Sequence, residues 1–221
     1  MFKSKPKCPY CGEILENPPK TKKKCPNCKN PVYFIVDPYT NKKYYLTEND
    51  AEKINNLKDR YRVEEKFFNQ FNEYGLTENH FKQRRNKFEK KVGKNYSAFT
   101  FVRSIFNELS LALAKKGDLQ DLDMMYWRMA RFLFEYNQDF FSYSYESTKM
   151  RLYNYKKSDK NLGIKSKVSI VACGDSCEKC IKQDGKTFTI DEALKIMPIP
   201  VKDCGNGFCR CIYTGGIEQA Q

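Results

Sequence analysis

Ten cysteines in 221 residues fall into two groups, four between Cys8 and Cys28 and six between Cys173 and Cys211, with none from Lys29 to Ala172. No other feature limits the fold as much. Sulfurs gathered at two places mark two small modules closed by cross-links, and leave the middle to fold by burial alone. Cys8-Pro9-Tyr10-Cys11 and Cys25-Pro26-Asn27-Cys28 are two C-P-x-C turns, thirteen residues apart. Each turn presents two sulfurs, and pairing the turns completes a tetrahedron around one zinc. Two redox C-x-x-C motifs would instead be set in a βαβ pattern, which the flanking residues do not show.

After the second turn, residues 32–36 (V-Y-F-I-V) read as a strand, residues 37–41 as a turn and residues 43–46 (K-Y-Y-L) as a returning strand. Residues 1–46 therefore resemble a zinc ribbon. Four thiolates leave no open coordination position, so such a metal is structural. Function then lies on the surface. Lys20, Lys22, Lys23 and Lys24 lie between the turns, with Tyr10, Tyr33 and Phe34 nearby. Basic residues beside aromatics can hold phosphates and stack bases. The same aromatics can equally form the ribbon's own core, and ribbons also serve as protein-docking platforms.

Residues 47–157 read as helices. Thr47-Glu48-Asn49-Asp50 has the form of a capping box, and Ile54, Leu57, Tyr61, Phe68 and Phe71 recur as one stripe. Gly75 ends that helix and Thr77 caps a second, with Phe81, Phe88 and Val92 expected inward. A third, from about Ala98 to Lys115, looks apolar nearly all round until Lys116-Gly117-Asp118 breaks it. The fourth carries Leu122, Met125, Tyr126, Met129, Phe132 and Tyr136 on one face, and the fifth is expected over residues 138–155. Residues 158–166 read as a polar linker. The methionines are at core spacing, and the single histidine, His80, follows a helix cap among basic neighbours. No 34-residue repeat stands out.

Residues 168–215 form the second cysteine-rich module. Residues 168–172 read as a strand, Gln183-Asp184-Gly185-Lys186 as a turn, and Thr189-Ile190-Asp191-Glu192 as a capping box for a short helix that Pro198 and Pro200 end. Cys177, Cys180, Cys204, Cys209 and Cys211 provide five sulfurs where four suffice, and residues two apart on a strand, such as Cys209 and Cys211, point to one side. A second structural zinc fits this set, with Cys173 and one other left over. Nucleophilic cysteine chemistry needs a base, and no histidine is nearby. Arg210, between two cysteines, is expected to donate hydrogen bonds to thiolates.

The pattern C-x-x-C, D-G-K-x-F, a proline segment and C-R-C resembles the C-terminal motif of the phage Mu F-like head-morphogenesis family. It is carried by Cys177, Cys180, Asp184, Gly185, Lys186, Phe188, Pro198, Pro200, Cys209, Arg210 and Cys211. The resemblance covers about a fifth of the chain and does not include the ribbon. It implies a minor head component associated with portal, capsid and packaged DNA. The family commonly has a histidine before C-R-C; this chain has Cys204 in that region.

The formal charge is +13, concentrated in residues 1–30 and 82–94. Two four-thiolate zinc sites, each of net charge −2, would lower it to about +9. A basic chain favours polyanionic partners, DNA or RNA, through Lys20, Lys22, Lys23, Lys24, Arg84, Lys87, Lys90 and Lys91. The longest apolar runs are far too short to span a membrane. The first residues lack the apolar stretch of a secretory signal, so the expected compartment is the cytoplasm, or a virion for a head component. The expectation is a mainly α protein: a helical bundle or array between an N-terminal β zinc ribbon and a small C-terminal α+β zinc module. It would bind two zinc ions and act without catalysis, as a nucleic-acid-associated or assembly factor of phage or prophage type. The alternatives are a head-morphogenesis component that binds head or portal proteins, and a metal-dependent nuclease with acidic residues in the helical part.

Overall fold

The computed structural model describes residues 5–37, 41–93 and 96–217. The middle of the expected ribbon turn, residues 38–40, and Lys94 lie outside them. Among the described residues there are seven helices and two three-stranded sheets, which bears out the mainly α fold with a small β element at each end. The chain divides into two compact units, Met1–Val102 and Arg103–Gln221.

The first unit begins with an antiparallel sheet of order β1-β2-β3, formed by β1 Lys22–Lys24, β2 Pro31–Val36 and β3 Lys43–Leu46. The lysine segment is thus an edge strand rather than a loop, with Lys22 opposite Tyr33. The apolar core here is very small, with Leu15 and Val32 packed among Cys8 and Cys25.

Helix α1, Glu48–Asn72, starts where the Thr47 hydroxyl accepts from the Asp50 backbone N–H; the Asp50 carboxylate accepts back from that hydroxyl, so the box closes through side chains. Its buried residues are Ala51, Glu64, Phe67 and Phe71. The expected stripe is only half right: Phe71 is buried, whereas Ile54, Leu57, Tyr61 and Phe68 are half-buried. α2, Glu78–Val92, is capped by Thr77 as expected, and buries Phe81 but leaves Val92 exposed at its last position. Phe81 stacks edge-on to Phe68 and Phe101, with ring centroids 5.3 Å apart in each pair.

Glu64 is the residue that helical periodicity alone does not anticipate in this core. It is fully buried, yet Arg85 Nη2 lies 2.6 Å and Arg60 Nε 3.8 Å from its carboxylate, and Tyr96 donates its hydroxyl at 3.3 Å. Arg60 also lies over the Tyr96 ring at 4.3 Å. Burial pushes the Glu64 carboxyl above its ordinary value, against the opposing pull of the two guanidiniums. The ion group ties α1 to α2 and to the start of the next helix.

Helix α3, Ala98–Lys116, crosses the division between the units. It is amphipathic rather than apolar all round. Phe101, Val102, Ile105, Phe106, Leu109 and Leu113 are buried, whereas Leu111 is 64% exposed. In the second unit α4, Leu119–Glu135, and α5, Phe141–Leu162, form a hairpin. Asp118 is not merely a breaker: its carboxylate caps α4 at the Asp121 N–H. Within the hairpin the buried Asp123 accepts from Ser147 at 2.6 Å and from Arg151 at 2.8 Å. α5 runs through most of the expected linker and ends at Gly163, whose φ of 67° a β-carbon would strain. Asp159 then accepts from the Ser166 backbone and hydroxyl, which turns the chain directly into the next strand.

That strand, β4 Ser166–Val171, is central in an antiparallel sheet of order β5-β4-β6 with β5 Thr187–Thr189 and β6 Ile212–Ile217. Two short helices complete the module, α6 Glu178–Ile181 and α7 Ile190–Ile196. Thr189 and Glu192 form the full reciprocal box at α7. Leu152 of α5 joins Val168, Ile170, Ala193, Ile199 and Tyr213 in one core, so the cysteine-rich module and the α5 helix share their interior.

Replacing Glu64 by Ala would leave Arg60 and Arg85 without their shared carboxylate, and is expected to destabilise the first unit by about 3–5 kcal/mol. Urea unfolding followed by circular dichroism measures this. A loss below about 1 kcal/mol would mean that the arginines simply turn to solvent.

Candidate metal centres

The first centre is built from two turns of identical hydrogen-bond pattern. The Cys8 N–H donates to Glu13 O and the Gly12 N–H to Cys8 O; the Cys25 N–H donates to Asn30 O and the Lys29 N–H to Cys25 O. In each turn the residue after the second cysteine is left-handed, Gly12 at φ 75° and Lys29 at φ 62°. The repeated turn aims both sulfur pairs at one point. All four Sγ atoms of Cys8, Cys11, Cys25 and Cys28 lie within 4.8 Å of one another, with Cys8–Cys28 and Cys11–Cys25 at 3.8 Å.

That separation is informative. A tetrahedral ion with metal–sulfur bonds of about 2.3 Å has sulfur–sulfur edges of about 3.8 Å. Two edges of the group already have that length, so it could hold a metal ion. The electrostatics agree, because the backbone N–H groups of Cys28 and Asn27 lower the Cys25 thiol to about 7. Burial acts in the opposite direction on Cys8 and pushes it up to about 11. The Asn27 amide also approaches Cys11 Sγ at 3.8 Å.

The second centre draws on three segments of the second unit. The Sγ atoms of Cys177, Cys180 and Cys204 lie within 4.8 Å of one another, and Cys204 is 3.7 Å from each of the other two. Cys180, Cys209 and Cys211 form a second such group, with Cys180–Cys209 at 3.8 Å. Cys180 belongs to both. Among the described residues, these three groups of potential ligands consist of cysteine alone.

Cys177 receives N–H bonds from Cys180 and Gly205, which lower its thiol to about 6. Burial holds Cys180 well above the ordinary range and raises Cys211 to about 12. The Gly205 contact favours the glycine: a β-carbon there would lie 3.0 Å from Cys177 Cβ, a tight contact that the cysteine would have to relieve by shifting a few tenths of an ångström. Gly207, at φ 75°, turns the chain so that Phe208 enters an aromatic group with Phe134 and Phe140, centroids 5.4 and 5.2 Å away. Phe208 thus anchors the loop that carries Cys204 and Cys209.

One expectation needs correction. Arg210 pairs with the Asp175 carboxylate rather than with a thiolate. Asn206 donates to the Asp175 backbone carbonyl at 2.7 Å, so Asp175 holds the cysteine loop from both sides. The sequence signal available for this was an Asp between Cys173 and Cys177. Cys173 itself lies outside both sulfur groups, its thiol 3.6 Å from Arg210 O. As for the aromatics beside the lysine strand, Tyr10 accepts from the Glu48 N–H at 2.9 Å, Tyr33 donates to the Glu48 carboxylate, and Phe34 packs on Tyr45 within the ribbon's own sheet with centroids 5.4 Å apart. The two tyrosines thereby seat the ribbon on α1.

Of the eight basic residues, Lys20, Lys22, Lys23 and Lys24 are exposed, but Lys22 lies 4.8 Å over the Tyr33 ring and 3.7 Å from Glu48, and Lys23 reaches the Asn17 carbonyl at 3.4 Å. Lys87, Lys90 and Lys91 are exposed on α2, and Arg84, Lys87 and Lys91 share one side at three- and four-residue spacing; Arg84 is half-buried. His80 is exposed, and its backbone N–H serves the Thr77 cap. Among the described residues, no helix is long and apolar enough to cross a membrane.

No protein-family model, curated protein or solved structure matches the chain.

Cys204→Ser is expected to lower the metal content of the purified protein by about one ion per chain, because a mixed set with one hydroxyl holds a soft-ligand metal poorly. Cys173→Ser should leave the content unchanged. Equal losses from both, measured by plasma mass spectrometry, would contradict the grouping.

Proposed function

We propose that the chain is a zinc-binding protein whose two four-thiolate centres are structural, and that it acts without catalysis as a nucleic-acid-associated or assembly factor. The observation that carries this reading is the sulfur spacing. In both cysteine-rich regions the closest sulfurs stand 3.7–3.8 Å apart, the edge of a tetrahedron around zinc. Thiolate sets of this shape suit a soft-tolerant d¹⁰ ion with no redox change, which favours zinc over magnesium, calcium or manganese. Cys8, Cys11, Cys25 and Cys28 hold the first ion. Cys177, Cys180 and Cys204 hold the second, and the fourth ligand comes from Cys209 or Cys211, which group with Cys180 and must close on the other sulfurs when the ion binds.

The nucleic-acid part is supported by charge. A face of α2 carries Lys87, Lys90 and Lys91 in solvent, and ammonium groups arrayed on one helix face bind phosphates by releasing counterions. The phage reading has a separate observation in its favour, since the residues that carry the resemblance work together locally. Asp184 accepts from the Ala172 N–H at 2.8 Å, Gly185 takes the left-handed turn at φ 72°, and Phe188 pairs with Val168 across the sheet. A head-morphogenesis component that meets portal or capsid proteins is therefore the second reading, tested by co-purification with those proteins from infected cells.

Duplex DNA binding across a salt series tests the first. Lys87→Gln, Lys90→Gln and Lys91→Gln together should make the slope of log affinity against log salt shallower by about 2–3. Absence of binding by the parent at low salt would remove the nucleic-acid claim and leave the zinc claim standing.

A further inference from the structure

Within the second unit, a groove of about 410 Å³ runs beside the C-terminal cysteine centre. Phe141 and Tyr145, from the first turns of α5, line it together with the apolar Met197, Pro198, Pro200 and Val201, and Lys179, Lys182, Lys202 and the Gln183 amide supply its polar groups. Among the described lining residues there is no carboxylate. Asp203 reaches only to 4.0 Å from Lys179 and is 81% exposed, so it offsets that lysine weakly. The two rings stand one helical turn apart with centroids at 6.4 Å and are half-buried.

The lysines are interleaved with the cysteines. Lys179 precedes Cys180, Lys182 follows it by two, and Lys202 precedes Cys204 by two. The backbone that brings Cys177, Cys180 and Cys204 within 4.8 Å of one another thereby sets the three ammonium groups around one groove. A filled thiolate centre adds negative charge rather than positive. Its contribution to the groove is therefore positional.

We propose that this groove binds single-stranded nucleic acid, with phosphates on Lys179, Lys182 and Lys202 and a base on the Tyr145 and Phe141 rings, and that the C-terminal metal centre holds it in shape. The inference rests on the proposed nucleic-acid role but places single-strand contact on residues of the second unit rather than on the α2 lysines. Charge selects a polyanion. The rings select one with exposed bases, because a duplex hides its base faces in the stack while a single strand presents them. The volume is in the range of pockets that take one small-molecule-sized group, here one nucleotide at a time.

The test uses the full zinc-loaded chain and a labelled oligothymidylate, read by fluorescence anisotropy over a salt series. Lys179→Gln, Lys182→Gln and Lys202→Gln combined should make the single-strand salt slope shallower by about 2. Tyr145→Leu, which keeps the bulk, should weaken binding about tenfold at every salt. Cys204→Ser should weaken it as well, although it removes no positive charge. Zinc content and far-ultraviolet circular dichroism verify that the lysine and tyrosine variants remain folded. If these variants bind oligothymidylate as the parent does while the α2 variant does not, the groove assignment fails and the nucleic-acid reading survives. If the parent binds duplex DNA but no oligothymidylate at low salt, the groove assignment falls and the nucleic-acid reading stands; if it binds neither, both fall. If polyglutamate competes as well as the oligonucleotide and Tyr145→Leu has no effect, the groove takes acidic chains generally and the single-strand assignment is overturned.

Discussion

Convergence of thiolates is the constraint on which both ends of this protein depend. The ribbon's apolar core amounts to Leu15 and Val32 with their neighbours, far less than a segment of that size needs to fold by burial alone. What closes it is the meeting of two turns from separate parts of the chain at sulfur distances of 3.8 Å. A metal that binds only the converged set adds its binding energy to folding directly. Around that centre the other features of the ribbon fall into place: the left-handed residues Gly12 and Lys29, the buried Cys8 and Cys25, and the tyrosines that meet Glu48 at the start of α1.

The C-terminal centre depends on its surroundings in a different way. It shares a core with α5 through Leu152, and Tyr155 donates its hydroxyl to the Tyr213 carbonyl at 3.2 Å. The sulfurs are therefore placed by a sheet, a long helix and an aromatic anchor, and a bound metal would refine a fold that burial already supports. Five converging sulfurs with Cys180 common to both groups is the signature of this arrangement. The same scaffold carries lysines at its rim, so shape and charge come from one short stretch of chain on either side of each ligand.

Local signals account for what was legible beforehand. Thr47, Thr77 and Thr189 each cap the helix their sequence announces, because a cap needs only residues within one turn of itself. The C-P-x-C turns likewise contain their own geometry. Features that depend on partners far away in the chain were not legible. Glu64 belongs in the core only because Arg60 and Arg85 reach it from two helices. β6 contains Gly215 and Gly216, which argue against a strand until the Tyr155 ring is seen lying where a β-carbon of Gly215 would go, 3.3 Å away. The choice among Cys204, Cys209 and Cys211, and the partner of Arg210, were likewise matters of tertiary placement.

Sulfur alone surrounding the metal at both ends is the claim on which the proposed role of the two centres turns. Zinc-edge X-ray absorption on the purified chain measures this directly. The expected spectrum is an average shell of four sulfurs at about 2.3 Å with no nitrogen or oxygen neighbour. A shell containing nitrogen or oxygen at about 2.0 Å would contradict it, since one of the centres would then be open or mixed.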